Sequence, residues 1–165
     1  MAPFTHLHLH TQYSILDGAS SITTIVDRAK SLGMEALAIT DHGNMFGAKE
    51  FHNYATKKGL KPIIGCEIYV AKGRMEDKTG KEDRSGDYLI LLARNLRGYH
   101  NLIKLVSAAW TKGFYYKPRI DKTILAQYSE GLIASSACIA GEIQSEILSG
   151  NLQAAEDALL SYLDI

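Results

Sequence analysis

The stretch "HLHLHTQYSILDG", residues 6–18, constrains this chain more than any other, because it sets three histidines at alternate positions and follows them with an Asp-Gly pair. Side chains two apart in an extended chain project from one face, so His6, His8 and His10 would form a row of imidazoles along a strand. Imidazoles gathered on one face point to a metal. A fold is then needed that presents the end of a strand at an open rim.

The rest of the sequence supplies strands and helices in alternation. "PFTHLHLH" reads as a first strand, and "SSITTIVDRAKSLG" as a helix capped by Ser20 or Ser21, with Ile22, Ile25, Val26, Ala29 and Leu32 on one face and Gly33 as its stop. "ALAIT" is a short buried strand, "MFGAKEFHNYATKKG" a helix ending at Gly59, and "KPIIGCEIYVA" a third strand. Residues 72–87 carry five acidic residues, five basic residues and three glycines, a composition that reads as a solvated loop. "YLILLAR" resumes as a strand, and the spacing predicts a helix over 98–112 with Leu102, Ile103, Val106 and Ala109 inward. After "GFYYKPRID", a short helix near 122–128 leads to the strand "GLIAS", and "GEIQSEILSG" and "LQAAEDALLSYL" read as closing helices.

About five strands, nearly continuous in apolar residues and separated by helices, imply an α/β fold with parallel pairing and helices outside, as in βα barrels or open α/β sheets. An eight-unit barrel takes roughly 250 residues, so 165 residues cannot close one. If the parent fold is a barrel, this chain is its leading part, one domain over 1–165, truncated before closure. The uncovered edge of such a partial barrel invites self-association.

Composition narrows the function classes. With 46% hydrophobic and 22% charged residues and zero formal net charge, the chain has enough apolar residues for a core but no global field to draw in a polyanion. Contact with nucleic acid would be local or carried by other domains. Two cysteines are too few for a disulfide framework, and the start "MAPFTHLHLH" lacks the basic and apolar regions of a signal peptide. A cytoplasmic protein is expected, with no apolar run approaching membrane-spanning length.

In barrels and open α/β sheets, chemistry gathers where parallel strands end. His8 and His10 close the first strand, Asp41 and His42 close "ALAIT", Glu67 sits in "PIIGCEIYV", and Cys138 follows "GLIASS". An ionised Glu67 inside an apolar strand is costly unless a cation or hydrogen-bond donors compensate it. Imidazole and thiolate favour zinc or another borderline cation, and carboxylates bridge cations, so a multinuclear site for phosphate ester hydrolysis is chemically sensible. Each residue also has a plain alternative. His6 reads as structural, Asp17-Gly18 as a turn, and Asp41-His42-Gly43-Asn44 as a helix cap. Cys66 and Cys138 read equally as core thiols, and His52 and His100 as solvent-facing. The coincidence of several ligand types at one rim favours the metal.

Four segments carry a resemblance to a known family. "HLHT" (8–11), "YSILDG" (13–18), "ITDHGNMFGAKEF" (39–51) and "IIGCE" (63–67) resemble the first motifs of the polymerase and histidinol phosphatase (PHP) family. "LLARNLRGYHNLIKLVSAAW", "GFYYKPRID" and "EGLIASSACIAGEI" are similar to the PHP domains at the amino terminus of bacterial replicative DNA polymerase III alpha subunits. The resemblance implies a distorted (βα)7 barrel, TIM-like, whose metals sit at the carboxyl ends of the strands. It puts His8 and His10 on one divalent metal, zinc or manganese, with Glu67 bridging to a second, Asp17 with His42 on a third, and Cys138 at a further ligand position.

Two departures from the family's pattern bear on activity. Tyr88 stands where many members have a His before the strand "LILLA", and a neutral phenol is a poor ligand. The family's last motif, an Asp and a His, lies beyond residue 165, so weak metal binding and little hydrolysis are expected of this chain alone. In the polymerases it resembles, the domain either performs metal-dependent 3′ to 5′ proofreading or serves as a scaffold on which a separate proofreading exonuclease subunit and other replicase subunits dock. DNA-directed DNA synthesis, a nucleotidyl transfer, follows from the resemblance alone. The alternatives are a free-standing PHP phosphoesterase acting on a small phosphorylated metabolite or nucleotide, and a non-enzymatic α/β module whose histidines are structural.

Overall fold

The structure is a computed structural model that describes residues 4–81, 84 and 86–165. Its organising element is β2 (Lys61–Val70), whose two edges take different partners. Along one edge β3 (Asp87–Ala93) runs antiparallel, with Gly65 opposite Leu92 through to Val70 opposite Asp87. Along the other edge β1 (Ala36–Ile39) pairs in parallel with residues 61–64, and His42 continues that register as an isolated bridge to Glu67. Beyond His42, β5 (Lys117–Ile120) joins in parallel at Tyr69 and Val70, and the short β4 (Phe114–Tyr115) folds back on it. β6 (Leu132–Ser136) pairs antiparallel with β3 and forms the outer edge, where its last four residues are exposed.

Among the described residues six α-helices flank this sheet: α1 (Ile22–Ser31), α2 (Ala48–Lys57), α3 (Leu96–Thr111), α4 (Lys122–Gln127), α5 (Glu142–Leu148) and α6 (Leu152–Leu163). Side-chain oxygens of Ser21, Asn95, Asp121 and Asn151 accept backbone N–H groups at the starts of α1, α3, α4 and α6, which stops those helices from running backwards. Alternation along the strands then sorts side chains by face. Cys66, Ile68, Val70, Leu89 and Leu91 pack beneath Leu102, Leu105 and Ala109 of α3 and Leu125 of α4. A second cluster joins Ile22, Val26, Phe51 and Leu60 around β1, and Ala38, Ile90 and Leu92 form a small patch on the sheet's other face.

Several sequence expectations need correction. The sheet is mixed, because the described residues between β2 and β3 form no α-helix to carry the chain back, so β3 returns antiparallel instead of through a crossover. "THLHLH" is not a regular strand. His6 O and Leu9 O accept from Ala38 N and Thr40 N, so three steps face two, the mismatch of a bulge, and strict alternation is lost. Pro3 lies outside the described residues. Among the described residues six strands form rather than five, since "FYYKPRI" contains β4 and β5 while "THLHLH" contributes none. Leu32 caps α1 and is exposed, and on α3 Ile103 is exposed while Leu105 is buried. Nor is 72–87 simply solvated. Met75 is buried, Asp87 begins β3, and the fully buried Arg119 guanidinium donates to the carbonyls of Gly113, Met75 and Asp77.

Candidate metal centre

Asp41 anchors the histidine segment to the end of β1. Its buried carboxylate accepts from Thr11 N at 2.6 Å, Thr11 Oγ1 at 2.8 Å and Ser14 Oγ at 2.6 Å. Three donors satisfy the charge, so Asp41 is neither a helix cap nor an available ligand. Ser14 Oγ in turn accepts from the backbone N–H of His42 at 3.1 Å and lies 3.4 Å from His10 Nδ1, linking the His42 main chain and the His10 imidazole to one buried carboxylate. The Asp17-Gly18 turn closes on Ser14 O, and a Cβ at Gly18 would fall 1.8 Å from Thr11 O, so only glycine permits that approach. Gly43, next to His42, has φ +62° and presses on Pro118, whose Cγ would lie 2.6 Å from a Cβ there.

This scaffold converges on Glu67, which is only 1% exposed. Oε2 lies 2.6 Å from His8 Nε2 and 3.4 Å from His10 Nε2, and those two nitrogens are 3.0 Å apart. Oε1 lies 2.8 Å from His42 Nδ1, yet the two buried atoms are not aligned for a hydrogen bond and have no other partner. His42 Nε2 reaches Asp17 Oδ2 at 3.1 Å, and the His10 and His42 rings stack at 4.0 Å. Among the described residues, His8, His10 and Glu67 form the group whose ligand atoms all lie within 4.8 Å of one another. Two imidazole nitrogens and a carboxylate oxygen gathered this closely are a donor set suited to a divalent cation. The orphaned Glu67 Oε1 and His42 Nδ1 fit the same group.

The electrostatics follow from this packing. Burial on its own would raise the Glu67 carboxyl, but contact with His10 and His42 outweighs it and holds the group well below the usual carboxylate range. Contact with Glu67 raises His42, against the opposing effect of burial. Burial pushes the Cys66 thiol far up, so it stays protonated as a core residue.

The sequence candidates therefore separate. His8, His10, His42, Asp17 and Glu67 come together. Cys138 is exposed on the loop after β6, where Ala140 N–H donates to its Sγ, and it is not one of the clustered ligand atoms. His6 packs edge-on against Phe4, and His52 and His100 are exposed on their helices. Tyr88 lies directly opposite Tyr69 because β3 runs antiparallel, and Lys117 donates to its hydroxyl at 2.7 Å. Lys117 carried no sequence signal. It sits in "YYKPRI", where only the strand pairing reveals that it reaches the rim.

A family model described as PHP domain matches residues 6–165. A protein named DNA polymerase III subunit alpha from Treponema pallidum is 50% identical over 160 residues, which cover 96% of this chain and 14% of that protein. One of the same name from Thermus aquaticus is 49% identical over 166 residues, covering 98% of this chain and 14% of its own. The chain thus spans about one seventh of the length of these curated relatives. Among solved structures, an amidohydrolase from Chromobacterium violaceum is 24% identical, with 64% of this chain and 32% of that chain covered at a TM-score of 0.44.

Proposed function

The chain belongs to the PHP domain family, and on that premise we propose that residues 1–165 are the leading part of the PHP domain of a replicative DNA polymerase III alpha subunit, within a distorted (βα)7 barrel. The reading gives the domain a divalent-metal centre, zinc or manganese, on His8, His10 and Glu67, with His42 and Asp17 on the far side of Glu67 and Cys138 as a further ligand from the loop after β6. The observation that carries it is the pair of orphaned buried atoms, Glu67 Oε1 and His42 Nδ1, beside the converging nitrogens of His8 and His10.

When bound, such cations supply Lewis-acid polarisation of a phosphoryl oxygen. The chain's own residues do the rest. Glu67 turns one oxygen toward His8 and His10 and the other toward His42, so it would help to hold cations on both sides. Asp41, through Thr11 and Ser14, holds the imidazole-bearing loop in register, and Asp17 completes the His42 side. The reaction is phosphate ester hydrolysis, in the parent polymerase the 3′ to 5′ removal of nucleotides from DNA. Tyr88 in place of a ligand would weaken hold on a second ion, and a domain so weakened would serve also as a scaffold for a proofreading exonuclease subunit and other replicase subunits. DNA synthesis, DNA binding and a cytoplasmic location belong to the parent polymerase in this reading. Among the described residues, no helix is long and apolar enough to cross a membrane.

Elemental analysis with thermal melts before and after chelation tests the centre. With the weak site expected of this chain, a melt that rises on addition of excess zinc or manganese and returns on chelation is expected. Absence of bound metal and of any melt shift would overturn the metal centre and leave the scaffold role.

A further inference from the structure

Beside the metal cluster lies a cation that the metal reading does not use. The Lys117 ammonium is half-buried, 4.5 Å from the centre of the Tyr69 ring and 4.9 Å from that of Tyr88, and it donates to the Tyr88 hydroxyl at 2.7 Å. Among the described residues it has no carboxylate within ion-pairing distance, unlike Lys58 on Asp27 or Lys122 on Glu142. One of its three protons is engaged by a neutral phenol, which leaves two for an outside acceptor.

Its place is rigidly set. β5 pairs in parallel with β2, Tyr69 opposite Arg119, so Lys117, two residues earlier, shares the face that carries Glu67 and Tyr69. Tyr116 before it holds the left-handed conformation at φ 60°, and Pro118 after it packs on Gly43, the neighbour of His42. Backbone strain at Tyr116 and the Pro118–Gly43 contact both act to aim one side chain at the rim. From His10 through His42 to Tyr69 the rings run nearly parallel, at 4.0 Å and then 6.4 Å, and Tyr88 closes the end edge-on. Lys117 stands at that end, on the side where Tyr88 replaces a ligand.

We propose that Lys117 binds a phosphoryl oxygen of the substrate at this centre, and that Tyr88 is its positioning residue. The inference rests on the phosphoester reading above. An ammonium is a compact point charge suited to a phosphoryl oxygen, and the cation–π contacts with Tyr69 and Tyr88 keep it extended without neutralising it. The position of Tyr88 thus exchanges a metal ligand for an acceptor that holds a fixed positive charge beside the remaining ions.

The test is calorimetric titration of the whole chain with inorganic phosphate and with bis(p-nitrophenyl) phosphate, before and after manganese loading, on wild type, Lys117→Met, Lys117→Arg and Tyr88→Phe. Metal content and melting temperature are read on the same samples. Lys117→Met is expected to weaken phosphate binding by about tenfold or more while manganese uptake and the melt without phosphate stay as in wild type. Lys117→Arg recovers part of the loss, and Tyr88→Phe loses less than Lys117→Met. A larger loss for inorganic phosphate than for the diester identifies a terminal monoester as the ligand, and equal losses identify a diester. Equal phosphate affinity in wild type and Lys117→Met overturns the proposal, as does a wild type that binds neither probe with or without metal. A wild type that takes up no manganese but loses phosphate binding with Lys117→Met sinks the metal centre and leaves this proposal standing.

Discussion

Successive residues of β2 have opposite surroundings. Cys66, Ile68 and Val70 face the dry layer under α3, whereas Glu67 and Tyr69 face three imidazoles, a phenol and an ammonium. One period-two strand thus supplies the core and the site at once, and the stability of the first face holds the second face in place. The dry face stabilises through apolar burial alone. The Glu67 face carries a buried carboxylate whose desolvation is outweighed by its contacts with His10 and His42, and a bound cation would take over that compensation.

Perturbing the two faces separately would sharpen or break this contrast. Leu105→Ala, on the dry side, is expected to cost about 2–5 kcal/mol in chemical denaturation through the cavity it leaves, with metal uptake per folded chain unchanged. A parallel loss of metal would mean the faces are coupled through β2. Glu67→Gln should behave in the reverse manner, lowering the metal-free melt less than Leu105→Ala does but abolishing the stabilisation from metal, about 3 kcal/mol at a hundredfold excess over Kd. Retention of that metal-induced shift would remove Glu67 from the centre.

Asp41→Ala touches both faces, because Thr11 and Ser14 lose their shared acceptor. Roughly 2 kcal/mol of stability should go, and metal uptake should fall with it; a variant that loses stability alone would show that the histidine loop is held by other contacts. Tyr88→His restores a ligand type at the rim and should tighten manganese binding by about tenfold in a competition titration. No change would place that position outside metal reach.

The smallest effect is the pH dependence of the metal-free chain. Contact with Glu67 raises His42, so the folded state holds that proton more tightly than the unfolded one. The resulting stability is fully present below the unfolded histidine value of about 6.5 and is lost as pH rises through the folded value. Glu67 is lowered, so its contribution is present above about pH 4.3 and is lost only as pH falls far into the acid range. Melting temperature should therefore decline slowly from pH 6 upward without metal. A metal-free melt that rises across that range would contradict the protonated His42–Glu67 contact.

Much of the site is legible in the sequence. His8, His10, Asp17, His42 and Glu67 are close in type and spacing to a ligand set, and all five meet. The helices α1, α2 and α3 are legible for a similar reason, since their buried faces repeat every three to four residues and their caps are local. What misleads is long-range. The antiparallel return of β3, the bulge at residues 6–9 and the pairing of β5 with β2 depend on which strand edge meets which, and no local pattern encodes that choice. Lys117 becomes visible only through that pairing, and Cys138 stays apart from the cluster because of where the loop after β6 runs.

Residue type and spacing alone indicated candidate imidazole and carboxylate donors, the helices and the apolar strands of this protein, because periodicity and side-chain type are properties of neighbouring residues. Tertiary structure decided the sheet's mixed direction, the charge balance around Glu67 and the company of Tyr88 and Lys117. Those depend on burial and on contacts between residues tens of positions apart, which desolvation and strand pairing fix only once the chain has folded.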